Sequence, residues 1–116
     1  MEPLNPVEIE AQLRKLTTRI SKGIGVYAKA YGAFLDADRV FDAAYARAYL
    51  EAEGPVKDRE MRAKADTLTE REARDVQELA YKHADKLLKA LELELRTLQS
   101  IGASVRAAYQ VAGRGE

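Results

Sequence analysis

One carboxylate stands where a carboxylate is expensive. Asp38 falls at helical spacing between Phe34 and Phe41, and an aspartate on an apolar stripe needs a partner or water. A second helix folding back over the first would offer Arg71, Lys82, His83 or Lys86, depending on register. The chemistry open to Asp38 is that of a catalytic acid or of an ion pair that sets helix register. The register role is expected, as for polar residues in helical seams. His83 is the single histidine, and the chain has no cysteine. With no Ser–Asp pattern around it, His83 reads as structural or solvent-exposed rather than as part of a triad or a zinc site. Asp36, Asp42, Glu92 and Glu94 would be the carboxylates of a metal centre, but no Glu-x-x-His pair accompanies them. The glycines of KGIGVYAKAYG lack the GKS or GKT ending of a phosphate loop and follow no strand. No catalytic residue, metal or cofactor is therefore expected.

Binding chemistry has more to work with. Formal net charge is zero, yet Arg14, Lys15, Arg19, Lys22 and Lys29 lie between Ala11 and Leu35 without an acid, as do Arg96, Arg106 and Arg114 between Leu95 and Gly115. The two tracts carry +8 and the remainder −8. Brought together, the tracts would form a patch for phosphates, salt-sensitive and blind to sequence. The competing reading is a solvated helix face. Tyr27 and Tyr31, and Tyr45 and Tyr49, are pairs at four-residue spacing, and Lys22 and Lys29 alternate with the first tyrosines. That arrangement resembles a base-stacking platform, but the tyrosines belong to an apolar stripe, and packing with the hydroxyl at the rim is expected.

These residues need long helices to position them. A third of the 116 residues are charged and 47% are hydrophobic, tryptophan is absent, and a composition rich in Ala, Leu, Glu, Lys and Arg is that of helices within one domain. No stretch alternates as a strand would. No apolar run reaches the ~18 residues of a membrane span, and MEPLNPVEIE has no signal-peptide order. A cytoplasmic protein is expected.

Asn5, Pro6 and Glu8 read as a capping box with a first-turn proline, and Gly54-Pro55 as a stop. The first helix is expected over residues 6–53. Leu13, Leu16, Ile20, Ile24, Tyr27, Tyr31, Phe34, Phe41, Tyr45 and Ala48 or Tyr49 form its apolar stripe. Gly23, Gly25 and Gly32 each weaken a helix by up to ~1 kcal/mol, so a break near Gly23–Gly25 is one alternative. Thr67 and Thr69 compete to cap the second helix, expected over 68–111, with a flexible tail at 112–116. Its stripe runs through Val76, Ala80, Ala84, Leu87, Leu88, Leu91, Leu95, Leu98, Gly102, Val105 and Tyr109. The connector 54–67 contains PVKDREMRAKAD at 55–66, which has helix propensity and reads as a loop, a short helix or an extension of the second helix.

The expected fold is all-α: a long antiparallel two-helix hairpin, coiled-coil-like, dimerising into a four-helix bundle. Dimerisation is expected because Leu35, Leu50, Leu87, Leu93 and Ile101 add apolar surface beyond what one partner helix hides. Phe34, Asp38, Phe41, Tyr45, Tyr49, Leu91, Leu95 and Leu98 are the expected interface residues. Arg14, Lys15, Arg19, Lys22, Lys29, Arg96 and Arg106 are the candidate nucleic-acid contacts, gathered at the end away from the turn.

AYARAYLEAEG and LRTLQSIGASVRAAY carry a resemblance. They are similar to blocks in short, all-helical early-region proteins of phages and prophages of Gram-positive, particularly actinobacterial, hosts. The likeness covers about two thirds of the chain. It implies an accessory role beside DNA replication and single-strand-annealing recombination and transfers no catalytic residue. The glycines around Gly23 depart from the uninterrupted first helix of that group. The resulting expectation is a non-enzymatic accessory protein that binds a protein partner or nucleic acid. The alternative is an interaction module that inhibits or chaperones a host or phage protein. A second copy and a protein are the expected partners, with nucleic acid as an option and neither membrane nor small-molecule substrate.

Overall fold

The computed structural model describes residues 5–114, and among them the regular structure is entirely helical. Three helices follow in order: α1 (Pro6–Glu51), α2 (Val56–Asp66) and α3 (Leu68–Arg114). The start of α1 is the expected capping box. Asn5 Oδ1 accepts from the Glu8 amide at 2.9 Å, and the Asn5 amide donates back to Glu8 Oε2 at 3.5 Å, satisfying two of the donors a helix start leaves free. Despite its glycines α1 is unbroken. It stops two residues before the expected end, with the Ala52 amide bonded to the Ala48 carbonyl at 3.1 Å. Gly54 then takes φ +106°, a left-handed conformation that favours glycine.

Of the three readings left open for the connector, the short separate helix is the one formed. α2 starts after Pro55, and a single residue, Thr67, separates it from α3. Thr67 is buried and its hydroxyl donates to the Ala63 carbonyl at 2.7 Å. Its own carbonyl accepts from the Arg71 amide at 3.0 Å. Of the two competing threonines Thr67 thus takes the junction, while Thr69 lies exposed inside α3. The hydroxyl faces back to close α2 instead of forward to cap α3. α3 continues three residues past its expected end at 111, to Arg114; residues 115 and 116 lie outside the described residues.

The chain divides into two compact units. Unit 1 joins Met1–Gly25 to Lys86–Glu116. In it α1 and α3 run antiparallel, since a Cβ on Gly102 would meet Ile9 Cγ2 at 3.1 Å and one on Gly23 would meet Leu88 Cδ1 at 3.2 Å. Ile9 and Leu16 are buried, at 2% and 3% exposure, and Leu13, Ile20, Leu91, Leu95 and Leu98 are half-buried. Glycine at positions 23 and 102 is what lets the two backbones approach. Unit 2, Val26–Asp85, is built differently. Tyr27, Tyr31 and Phe34 surround Tyr81, with ring centroids 6.4, 5.1 and 4.9 Å away. The buried residues there are small: Ala52, Ala63, Ala84 and Thr67.

Both long helices keep alternating three- and four-residue steps along their packed faces. On α3 the half-buried or buried positions include Arg74, Gln77, Tyr81, Ala84, Leu88 and Leu91. The expected seam residues Val76, Ala80, Leu87 and Tyr109 are instead exposed. The leucines from Leu88 onward set the phase of the helix, and a continuous helix carries that phase back to Tyr81 and Arg74, although Val76 is the more apolar residue. On α1 the same rule places Ile9, Gly23, Ala30 and Ala37 on the packed face and leaves Ile24 and Tyr31 exposed, at 53% and 39%.

Candidate interaction surfaces

Asp38 sits half-buried on α1, as the spacing demanded, but none of the four expected groups is its partner. Arg74 is: its Nε donates to Asp38 Oδ1 at 2.5 Å. The physical reason is the phase of α3. With Tyr81 against Phe34, the seam position one heptad earlier is Arg74, and Asp38 lies one turn beyond Phe34. The Arg74 guanidinium also lies over the Phe34 ring at 5.3 Å, a cation–π arrangement. Asp75 and Glu78 stand 3.7 and 3.8 Å from its Nη1, and Lys82 pairs with Glu78 at 3.2 Å. The hydrogen bond to Asp38, helped by the nearby carboxylates, holds Arg74 above its ordinary pKa against the opposing effect of desolvation. Both partners are about one third exposed, so water screens the pair and its contribution to stability is small. Its value lies in register: an Arg–Asp bond of this geometry forms at one offset of the helices. Extending the leucine heptad back from Leu88 is the signal in the sequence that finds Arg74.

His83 is exposed. Among the described residues no three His, Asp or Glu side chains group to hold a metal ion. Asp36 is engaged by Arg39 at 3.0 Å one turn away.

The basic residues fall as follows. Unit 1 brings Arg14, Lys15, Arg19 and Lys22 into one body with Arg96 and Arg106, all exposed. Lys29 belongs to unit 2. Arg114 lies at the last described position, and its side chain falls outside the description. A groove of about 150 Å³ is lined by Gln12, Lys15, Leu16, Arg19, Glu94 and Leu98, so a carboxylate stands among the cations. Arg14 pairs with Glu10 at 3.6 Å on the exposed surface. The surface is mixed, with a basic excess.

The expected interface residues Phe34, Asp38, Phe41, Tyr45, Tyr49, Leu91, Leu95 and Leu98 are all half-buried. Tyr49 also supports Arg59, whose guanidinium is 5.9 Å from the ring centroid. Outside this packed face the exposed apolar residues are numerous. Unit 2 leaves Val76 at 61%, Leu79 at 71% and Leu50 at 80% exposed, and unit 1 leaves Leu87, Leu93 and Ile101 open to solvent. On α3, Val76, Ala80, Leu87, Ala90 and Ile101 share a heptad phase one position away from the packed seam, with His83, Glu94 and Thr97 at the remaining positions of that phase. α3 thus carries a packed stripe and an exposed apolar one interrupted by three polar residues. No helix among the described residues is long and apolar enough to cross a membrane.

No protein-family model, no curated protein and no solved structure matches the chain. The likeness to phage early-region proteins therefore stands on its residue blocks alone.

Proposed function

We propose that the protein is a non-enzymatic helical accessory factor that acts by binding, and that it self-associates through the exposed stripe of α3 into a four-helix bundle. The observation that carries this reading is the second heptad stripe. Sixteen large apolar side chains are exposed among the described residues, against five buried hydrophobic ones, three of which are alanines. Scattered exposed leucines are ordinary on any surface. A stripe that keeps heptad spacing along a helix is the pattern of a helix meeting a further helix. The bundle then presents its remaining surface to a protein partner, and the likeness to phage early-region proteins supports a setting in DNA replication or recombination.

Sedimentation equilibrium over a range of concentrations tests self-association. The wild-type chain is expected to sediment as a dimer and Leu87→Glu as a monomer with its helix content kept. A monomeric wild type ends the bundle reading.

A second reading has its own observation. Lys15, Arg19, Lys22, Arg96 and Arg106 are exposed in unit 1 without an ion-pair partner among the described residues, which supports phosphate binding. Binding to single- and double-stranded DNA at low and high salt measures it. Changing Arg14, Arg19, Lys22 and Arg96 to Glu should abolish binding at low salt, and an unaltered affinity rejects the nucleic-acid form.

A further inference from the structure

In unit 2 a recess of about 240 Å³ is lined by Phe41 and Tyr45 from α1, Lys64 from α2, the junction residue Thr67, and Arg71 from α3. The Phe41 and Tyr45 rings stand 6.2 Å apart, tilted by 51°. Lys64 and Arg71 have no ion-pair partner among the described residues. The unit holds 13 acidic residues against 10 basic ones and pairs Arg39, Arg74 and Lys82 with carboxylates. Two cations without a carboxylate partner therefore line the same recess as two aromatic side chains.

We propose that this recess binds a single-ring aromatic anion, a carboxylate or phosphate carried on one aromatic ring. Size supports one ring. Cavities of ~150 Å³ accept benzene, whereas sites for drug-sized ligands start at about 300 Å³. The ring lies against Phe41 and Tyr45, where edge or offset contacts are available. The anion meets Arg71, whose fork matches two oxygens, and Lys64 as a point charge. Thr67 adds no free donor, because its hydroxyl proton is committed to the Ala63 carbonyl. Because the walls of the recess come from all three helices, an occupant would tie α2 to α1 and α3 and stabilise the fold by mass action.

The test is a titration of the isotopically labelled 116-residue chain followed by amide chemical shifts. Benzoate and phenyl phosphate are the anionic probes, benzyl alcohol is the neutral ring and acetate is the ring-free anion. Benzoate is expected to shift amides around residues 41, 45, 64 and 71 and to bind about a hundredfold more tightly than benzyl alcohol, a factor of about ten for each of two charged hydrogen bonds. Acetate should produce no localised shift. Lys64→Gln and Arg71→Gln, both at exposed positions, should each weaken benzoate about tenfold with helix content unchanged, and Lys64→Arg should restore it. Phe41→Leu should weaken benzoate and benzyl alcohol alike. Equal affinity for benzoate and benzyl alcohol overturns the proposal, as do shifts centred outside these residues or an affinity that survives both charge removals.

Discussion

Units 1 and 2 use the same helices and the same heptad spacing to reach opposite solutions. In unit 1 the packed face is aliphatic, with Ile9 and Leu16 buried and Gly23 and Gly102 admitting the partner helix. In unit 2 it is aromatic and ionic, with Tyr81 ringed by Tyr27, Tyr31 and Phe34 and the Asp38–Arg74 bond alongside. Aliphatic packing stabilises strongly but discriminates weakly, because leucine seams tolerate a heptad slip. An arginine–aspartate bond stabilises little and tolerates none. Unit 1 is expected to supply more of the adhesion and unit 2 more of the register.

The largest effect expected from that difference is in unit 1. Leu16→Ala and Ile9→Ala should each cost about 2–4 kcal/mol, the range for truncating a buried aliphatic side chain, measured by urea unfolding followed at 222 nm. Next comes Tyr81→Leu, which removes three ring contacts while keeping bulk and should cost about 1–2 kcal/mol. A loss in unit 2 that exceeded the loss from Leu16→Ala would break the division of labour.

Asp38→Asn should cost less than any of these truncations, because the pair is screened by water. The register claim is sharpened by the Asp38→Leu, Arg74→Leu double variant, which removes the partly buried pair from both sides. It should recover most of the lost stability yet show broadened amide signals in unit 2, as alternative registers become populated. Sharp signals in that variant would show the pair to be dispensable for register. Alkali should leave the pair intact. Because the folded-state pKa of Arg74 is raised, its contribution is present below the guanidinium range and is lost only as pH rises through it, so stability measured up to about pH 10 should show no loss from this residue.

The smallest effects concern the glycines of α1. A Cβ on Gly25 or Gly32 meets nothing within 4 Å, so Gly25→Ala and Gly32→Ala should each stabilise by up to ~1 kcal/mol. Scanning calorimetry would show this as a rise of a few degrees in Tm. Gly23→Ala must push Leu88 Cδ1 from 3.2 Å and should gain less or lose. Equal gains at all three positions would remove the close approach from the account of unit 1.

The helices were legible because capping and stop residues are local. Asn5 and Glu8 close the start of α1, Gly54 and Pro55 bound its end, and Thr67 marks the α2–α3 junction. The phase of α3 ahead of Ala84 was not, and the error has one source. Val76 and Ala80 are the apolar residues of that segment, so a reading by hydropathy puts them inward. Inward placement is instead inherited along the helix from the leucines. The partner of Asp38 was misassigned for the same reason. Lys64 and Arg71 gave no signal at all, since their meeting with Phe41 and Tyr45 depends on how three helices converge.

The amino-acid sequence by itself determined an all-helical chain, the start of α1, the turn at Gly54 and the need of Asp38 for a cation, because each follows from backbone preference or desolvation within a few residues. Only the tertiary structure decided which face of each helix turns inward, that Arg74 answers Asp38, and that two unmatched cations share a recess with two rings. These are properties of helix phase and offset, set by the summed packing of distant residues.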